Sequence, residues 1–225
     1  MLVKVLRLGG DERYRALAER LHRDVYKDGF VVEGIRYHPD PCSIGHTSQG
    51  GVTGSSAGDY ARERSLTDLH VLDMCCGVGV VGLTMCAYLR GDGERRIRKM
   101  SFADINIYNL NSLEKTLRQN PSDLWGSVET EAFLTDGLKA IEPAHQFDLI
   151  VSNPPHFYTE SFTDWTLQPS VLGAMDPGWS FHREFYAVCH EYLSPPGEVW
   201  FLENHLAEPE QALKEIIEES PQMEL

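Results

Sequence analysis

The sequence predicts an α/β fold, a doubly wound and mainly parallel sheet with helices on both faces. Three observations carry that prediction. From His70 onward, short apolar runs alternate with stretches whose apolar residues recur at helical spacing, the pattern of strands joined by crossover helices. The runs are nearly continuous in apolar residues, as strands buried on both faces must be. Glycine or acidic residues follow the runs, at the end of the sheet where such folds gather ligands.

In chain order, Tyr14 to Asp28 reads as an amphipathic helix, with Leu17, Leu21 and Val25 on one face and Gly29 as its C-cap. Phe30 to Ile35 reads as a short strand. Between Cys42 and Tyr60 lie five glycines, four serines and two threonines, which is loop chemistry and suits a connection or a lid over ligand. Residues 1–60 are therefore expected to form an N-terminal unit and residues 61–225 the main domain. There, His70 to Met74 is the first strand and Val80 to Leu89 its helix. Ser101 to Asp104 is the second strand; Leu110, Leu113 and Leu117 mark the helix after it, which Asn120-Pro121 stops. Val128 to Leu134 and Phe147 to Ser152 are the next strands. Phe181, Phe185, Val188 and Tyr192 mark another helix, ended by Ser194-Pro195-Pro196-Gly197. Glu198 to Leu202 is a fifth strand, and Leu206 to Glu219 a last helix.

The formal charge is −14, from 34 acidic and 20 basic residues, which disfavours a bare phosphate backbone as partner. Two basic stretches, Arg13 to Lys27 and Arg95 to Lys99, read as a solvated helix face and a solvated loop. The cysteines (Cys42, Cys75, Cys76, Cys86 and Cys189) form neither a secreted disulfide framework nor a C-x-x-C pair, and no metal site is expected. The apolar runs are too short to cross a bilayer and the N-terminus is unlike a signal peptide, so the expectation is a cytoplasmic protein.

The residues after the strands carry the chemistry. Asp73-Met74-Cys75-Cys76-Gly77-Val78-Gly79-Val80-Val81-Gly82 contains the spacing Gly77-x-Gly79-x-x-Gly82, which lets backbone amides approach a ligand. Asp73 at the strand tip would repel a pyrophosphate but can meet an ammonium group. Asp104, followed by Ile105-Asn106, can accept ribose hydroxyls or cap the next helix. Asp136-Gly137 can accept from an adenine amino group or simply turn the chain. In Asn153-Pro154-Pro155-His156, two prolines hold the backbone extended and remove two donors, which leaves acceptors beside the Asn153 amide. That suits a substrate amino or amide nitrogen, with the His156 or Phe157 ring stacked on its plane.

These residues, over roughly His70 to Phe201, resemble class I S-adenosylmethionine-dependent methyltransferases of Rossmann-like fold, specifically the Asn-Pro-Pro-Tyr/Phe, amino-methylating small-domain subset. The resemblance implies a cofactor set of Asp73, Cys75, Gly77 and Gly79 for the methionine part, Asp104, Ile105 and Asn106 for the ribose, and Asp136 and Gly137 for adenine, with Asn153 at its edge. It implies that Asn153, Pro154, Pro155 and His156 position the target nitrogen. His156 departs from the family pattern, which has Tyr or Phe there. A C-terminal sheet hairpin, usual in relatives, is expected to be short or missing.

The expected function is N-methylation of a planar nitrogen of a small molecule or protein side chain, using S-adenosyl-L-methionine. Trp165, Trp179, Asp164, Asp176 and His182 fall where relatives cap the acceptor, and acids there would favour a cationic or amine-rich acceptor. The alternatives are an RNA base N-methyltransferase and a non-catalytic methyltransferase-like subunit. A nicotinamide oxidoreductase has no use for Asn153-Pro-Pro-His156.

Overall fold

The computed structural model describes residues 29–43, 48–92, 96–126, 128–144, 146–155, 157–159, 175–202, 214–216 and 218–220. The predicted helix over Tyr14 to Asp28 and the basic stretch it contains lie outside the described residues. So do His156, Asp164, Trp165 and most of the predicted last helix, of which residues 214–216 and 218 are helical.

Five parallel strands form the sheet: β3 (Leu69–Met74), β4 (Ile97–Asp104), β5 (Glu129–Leu134), β6 (Phe147–Ser152) and β9 (Leu193–Phe201), in the spatial order β5-β4-β3-β6-β9. The chain winds one way through β3, β4 and β5, then returns to place β6 on the other side of β3. The order therefore switches between β3 and β6, where a parallel sheet opens a crevice at its carboxyl end. Helices α2 (Val80–Leu89), α3 (Ile107–Gln119) and α4 (Ser180–Val188) make the crossovers. Every residue of β3 is buried, so it reads as an apolar run rather than an alternation.

Two apolar layers flank the sheet. Val71, Phe102, Leu149 and Val151 face one layer with Leu83, Met85 and Leu113, while Leu72, Met74, Ala103 and Ile150 face the other with Phe185, Tyr186 and Cys189. Because strand side chains alternate, Asp73 and Asp104 point to the same face as Val71 and Phe102, toward α2 and α3. The fifth strand is longer than expected: β9 takes in Ser194 to Gly197 as a register shift opposite Phe147/Leu149.

Three expectations are corrected. From Ser48 onward the Gly/Ser-rich stretch is not a loop or lid: α1 runs from Ser48 to Glu63. Its glycines cost helix propensity, but they let α1 lie flush on α2. A Cβ on Gly54 would stand 2.4 Å from the Val81 carbonyl oxygen, and one on Gly58 would stand 2.6 Å from the Tyr88 ring. Ala57 and Ala61 of α1 are fully buried in the first layer. Arg62 closes the contact, pairing in a bidentate fork with Asp92 and lying over the Tyr88 ring.

Second, Phe30 to Ile35 is not one strand but the start of a hairpin of β1 (Phe30–Val32) and β2 (Ile35–Tyr37), turned by Glu33-Gly34 at positive φ. Third, the basic stretch is not a solvated loop: Ile97, Arg98 and Lys99 belong to β4. Arg96 and Arg98 pair with Asp92, Asp68 and Asp148, and Lys99 pairs with Glu129 and Glu131. Cross-strand acids neutralise the run, so it extends as strand.

Beyond the hairpin, residues 36–43 cross α3. Arg36 exchanges two backbone–side-chain hydrogen bonds with Asn120, the Asp40 amide donates to Ser112, and the Asn106 side chain donates to the Cys42 carbonyl. Among the described residues, no helix is long and apolar enough to cross a membrane.

Candidate functional site

The turn after β3 is built on backbone conformations that ordinary side chains avoid. Gly77 and Gly79 have φ of +56° and +87°, and Gly79 stands at the N-cap of α2. A Cβ on Gly79 would lie 2.6 Å from Leu113. Cys75 also takes a left-handed φ of +56°, a strained choice for a residue with a side chain. The Cys76 amide donates to the Ala103 carbonyl, which ties the turn to β4.

Asp73 is fully buried. Its Oδ2 accepts the Gly82 amide at 2.8 Å, whereas Oδ1 is buried with no partner. Burial pushes its pKa up to about 8, the Gly82 amide opposes that, and the nearby Asp104 charge adds to it. Asp104 is nearly as buried and is held by amide donors. Oδ2 accepts the Gly77 amide at 2.8 Å, and Oδ1 accepts the Asn106 amide at 2.8 Å and the Asn109 side chain at 3.0 Å. Burial raises its pKa to about 6 against those donors. Asp104 is not the cap of α3; Asn106 is, its side chain accepting the Tyr108 amide.

Asp136 and Gly137 follow β5. Gly137 turns the chain at φ +57°, and Asp136 is ion-paired at 2.7 Å with Lys139, which also reaches Glu184 of α4 at 2.6 Å. Thr135 stiffens this turn, accepting the Ala140 amide.

Asn153, Pro154 and Pro155 leave β6 at the switch point. Met74 and Ser152 are register partners, and Ser152 Oγ donates to the Met74 carbonyl at 2.5 Å. Cys75 and Asn153 therefore leave neighbouring strands side by side, about one strand spacing apart. Pro154 and Pro155 are buried, and the exposed rings of Phe157 and Tyr158 follow on β7 (Phe157–Thr159), paired in parallel with β8 (Met175–Pro177).

Asp176, one of the two acids expected to face an acceptor here, is otherwise engaged. Asp176 and His182 are both fully buried and bond each other, Oδ2 to Nδ1 at 2.5 Å. Asp176 also accepts the Phe181 and His182 amides. It thereby caps α4, whose own N-cap residue, Trp179, offers no side-chain bond. The charge of Asp176 is spent on a helix terminus and an imidazole, not on ligand.

The structure thus gathers Asp73, the Cys75–Gly79 turn, Asp104, Ile105, Asn106, Asp136, Gly137 and Asn153–Pro155 on one rim. Sequence reasoning missed Asn109, Ser152 and Lys139. Asn109, Ser112 and Thr116 form a buried polar row on α3, spaced at three and four residues, which was the available signal.

This rim suits S-adenosylmethionine. Asp73 Oδ1 lacks a partner, a Cβ at Gly77 would meet nothing within 4 Å, and among the described residues no Lys or Arg bonds Asp73 or Asp104. Acids without cations beside an open turn fit a ligand bearing sulfonium and ammonium charge.

Residues 62–224 match the family described as methyltransferase small domain. Two similar curated proteins are a ribosomal RNA small subunit methyltransferase C of Hahella chejuensis and a release factor glutamine methyltransferase of Borreliella burgdorferi. The first is 34% identical over 97 residues, covering 41% of this chain and 24% of the relative. The second is 27% identical over 132 residues, covering 56% and 42%. The chain thus spans less than half the length of either. Among solved structures, a T. thermophilus 16S rRNA N2 methyltransferase in complex with AdoMet and guanosine is similar in fold, with a TM-score of 0.51 at 20% identity over 77% of this chain and 39% of that one.

Proposed function

Because the chain belongs to the methyltransferase small domain family, whose class uses S-adenosylmethionine, we propose that it transfers a methyl group to a planar nitrogen held at Asn153-Pro154-Pro155. One observation supports this above the rest: the register of β3 with β6 sets Asn153 beside the Cys75–Gly79 turn, so acceptor and cofactor residues share one crevice. Bound there, S-adenosylmethionine supplies a methyl group already activated on sulfur. The chain's part is orientation and exclusion of water. Asn153 accepts the N–H hydrogens of an amide or amine, and the prolines add no competing donor. The nitrogen lone pair is then turned toward the methyl group.

The acceptor that fits best is a protein side chain or a small nitrogenous molecule. The described cations near the rim are neutralised, Lys139 by Asp136 and Glu184 and Arg183 by Glu219, and the whole chain carries −14. A polyphosphate chain gains little from such a surface. A second reading, methylation of an RNA base, draws support from the relatives named for ribosomal RNA.

Labelled cofactor incubated with the protein and a cell extract separates the readings. Label removed by protease or recovered in small molecules supports the first, and label removed only by ribonuclease supports the second. Asn153→Ala is expected to lower transfer at least about 100-fold while S-adenosylhomocysteine binding changes little. Full transfer by Asn153→Ala defeats the assignment.

A further inference from the structure

We propose that Asn109 is a positioning residue of the cofactor site: its buried carboxamide occupies Oδ1 of Asp104 and leaves Oδ2 to the ligand rim. The inference rests on reading Asp104 as the acceptor for cofactor hydroxyls.

Asn109 is fully buried within α3, two residues past the helix start. An amide is a poor choice there, since burying one without a partner costs more than burying alanine, the better helix former. Its Nδ2 donates to Asp104 Oδ1 at 3.0 Å, and the Asn106 amide takes the other side of the same oxygen. A carboxylate oxygen has about two lone-pair directions, so Oδ1 is filled. Oδ2 accepts the Gly77 amide, at the turn where a side chain on Gly77 would meet open space. The two side-chain oxygens are therefore not equivalent, and Asn109, with the Asn106 amide, fills the one that does not face Gly77.

The same bond helps keep Asp104 ionised. Burial raises its pKa to about 6, and the donors from Asn106, Asn109, Gly77 and Ile105 oppose that rise. The titratable groups facing it are Asp73 on β3 and Cys75 and Cys76 on the turn, all raised further by its charge. No described cation bonds it. Removing Asn109 therefore makes Asp104 protonate at higher pH. The protonated carboxyl is a weaker acceptor for hydroxyls.

Calorimetric titration of S-adenosylhomocysteine from pH 5 to 9 tests this on the full chain, with Asn109→Ala, Asn109→Leu and Asp104→Asn. Wild-type affinity is expected to fall as pH drops through about 6. Both Asn109 variants are expected to move that midpoint up by about one pH unit, with affinity about threefold weaker near pH 6.5, about fivefold weaker near pH 6 and much closer to wild type at pH 9. Asp73 titrates in all but is common to all, so the difference reports Asp104. Alanine leaves a cavity and leucine fills it, so equal shifts from proteins of different Tm identify the lost donor. An unmoved midpoint, or a loss uniform across pH that tracks Tm, overturns the proposal. Wild-type binding by Asp104→Asn removes the reading of Asp104 and the proposal with it.

Discussion

The two sides of the switch point are held by opposite uses of buried acid. On the β3–β4 side, Asp73 and Asp104 bind neutral donors only, and Asp73 keeps one oxygen unpartnered. Among the described residues no cation bonds either of them. On the β6 side, Asp176 is consumed internally by His182 and the first amides of α4, and what meets solvent is aromatic: Phe157 at 41% and Tyr158 at 50% exposure. Tyr158 lies 5.9 Å from Trp179, which packs edge-on to His182. On the proposed function, one side would seat the cofactor's cationic groups and the other would flank a flat acceptor. Acidic residues in one crevice do not imply one role.

Exchanging the roles should break this contrast if it is wrong. The largest expected effect is on stability. Asp176→Ala strips a buried imidazole and two helix amides of their acceptor, at a cost of about 3–5 kcal/mol, read as a fall in Tm. Folded Asp176→Ala protein is expected to bind S-adenosylhomocysteine within about threefold of wild type. A large loss of cofactor affinity without loss of Tm would place Asp176 on the cofactor side instead. Asp104→Ala is expected to do the reverse: about 10- to 100-fold weaker cofactor binding, or roughly 1.4–2.7 kcal/mol, with a smaller change in Tm. Equal effects of the two substitutions on binding would erase the distinction.

The turn after β3 was legible in the sequence because its requirements are local. A strand tip, a turn at positive φ and a following helix fix Asp73, Gly77 and Gly79 within ten residues, and Asp104 recurs at the next strand tip. The parallel sheet followed from the alternation of strands and helices and the family from the resemblance of the post-strand motifs; the observed sheet bears out the first and the match over residues 62–224 the second. Illegible features depend on partners distant in sequence. Gly54 and Gly58 signal a loop by composition, yet Val81 and Tyr88 turn them into contact points between helices. Arg98 and Lys99 look solvated until Asp148, Glu129 and Glu131 arrive on neighbouring strands. Asp176 looks like substrate chemistry until α4 folds over it. In each case a tertiary neighbour overrode local composition.

A last predicted effect separates the two sides by pH. Asp73 has a folded pKa near 8, raised chiefly by burial and further by Asp104, against an ordinary value of 3.8. The folded state therefore holds this proton more tightly than the unfolded chain. Stability from this group is fully present below about pH 4, declines as pH rises from 4 to 8, and is constant at its lowest above that. Asp73→Asn removes the titration while keeping the size of the side chain. The variant is expected to match wild type in Tm below about pH 4 and to exceed it increasingly as pH rises toward about 8.5, since ionised Asp73 without a counter-charge is a burden on the fold. Saturating cofactor should narrow that gap, because its cationic groups supply what Asp73 lacks. A difference in Tm independent of pH would mean that Asp73 is already ionised and satisfied in the free protein, and the contrast with Asp176 would then reduce to position alone.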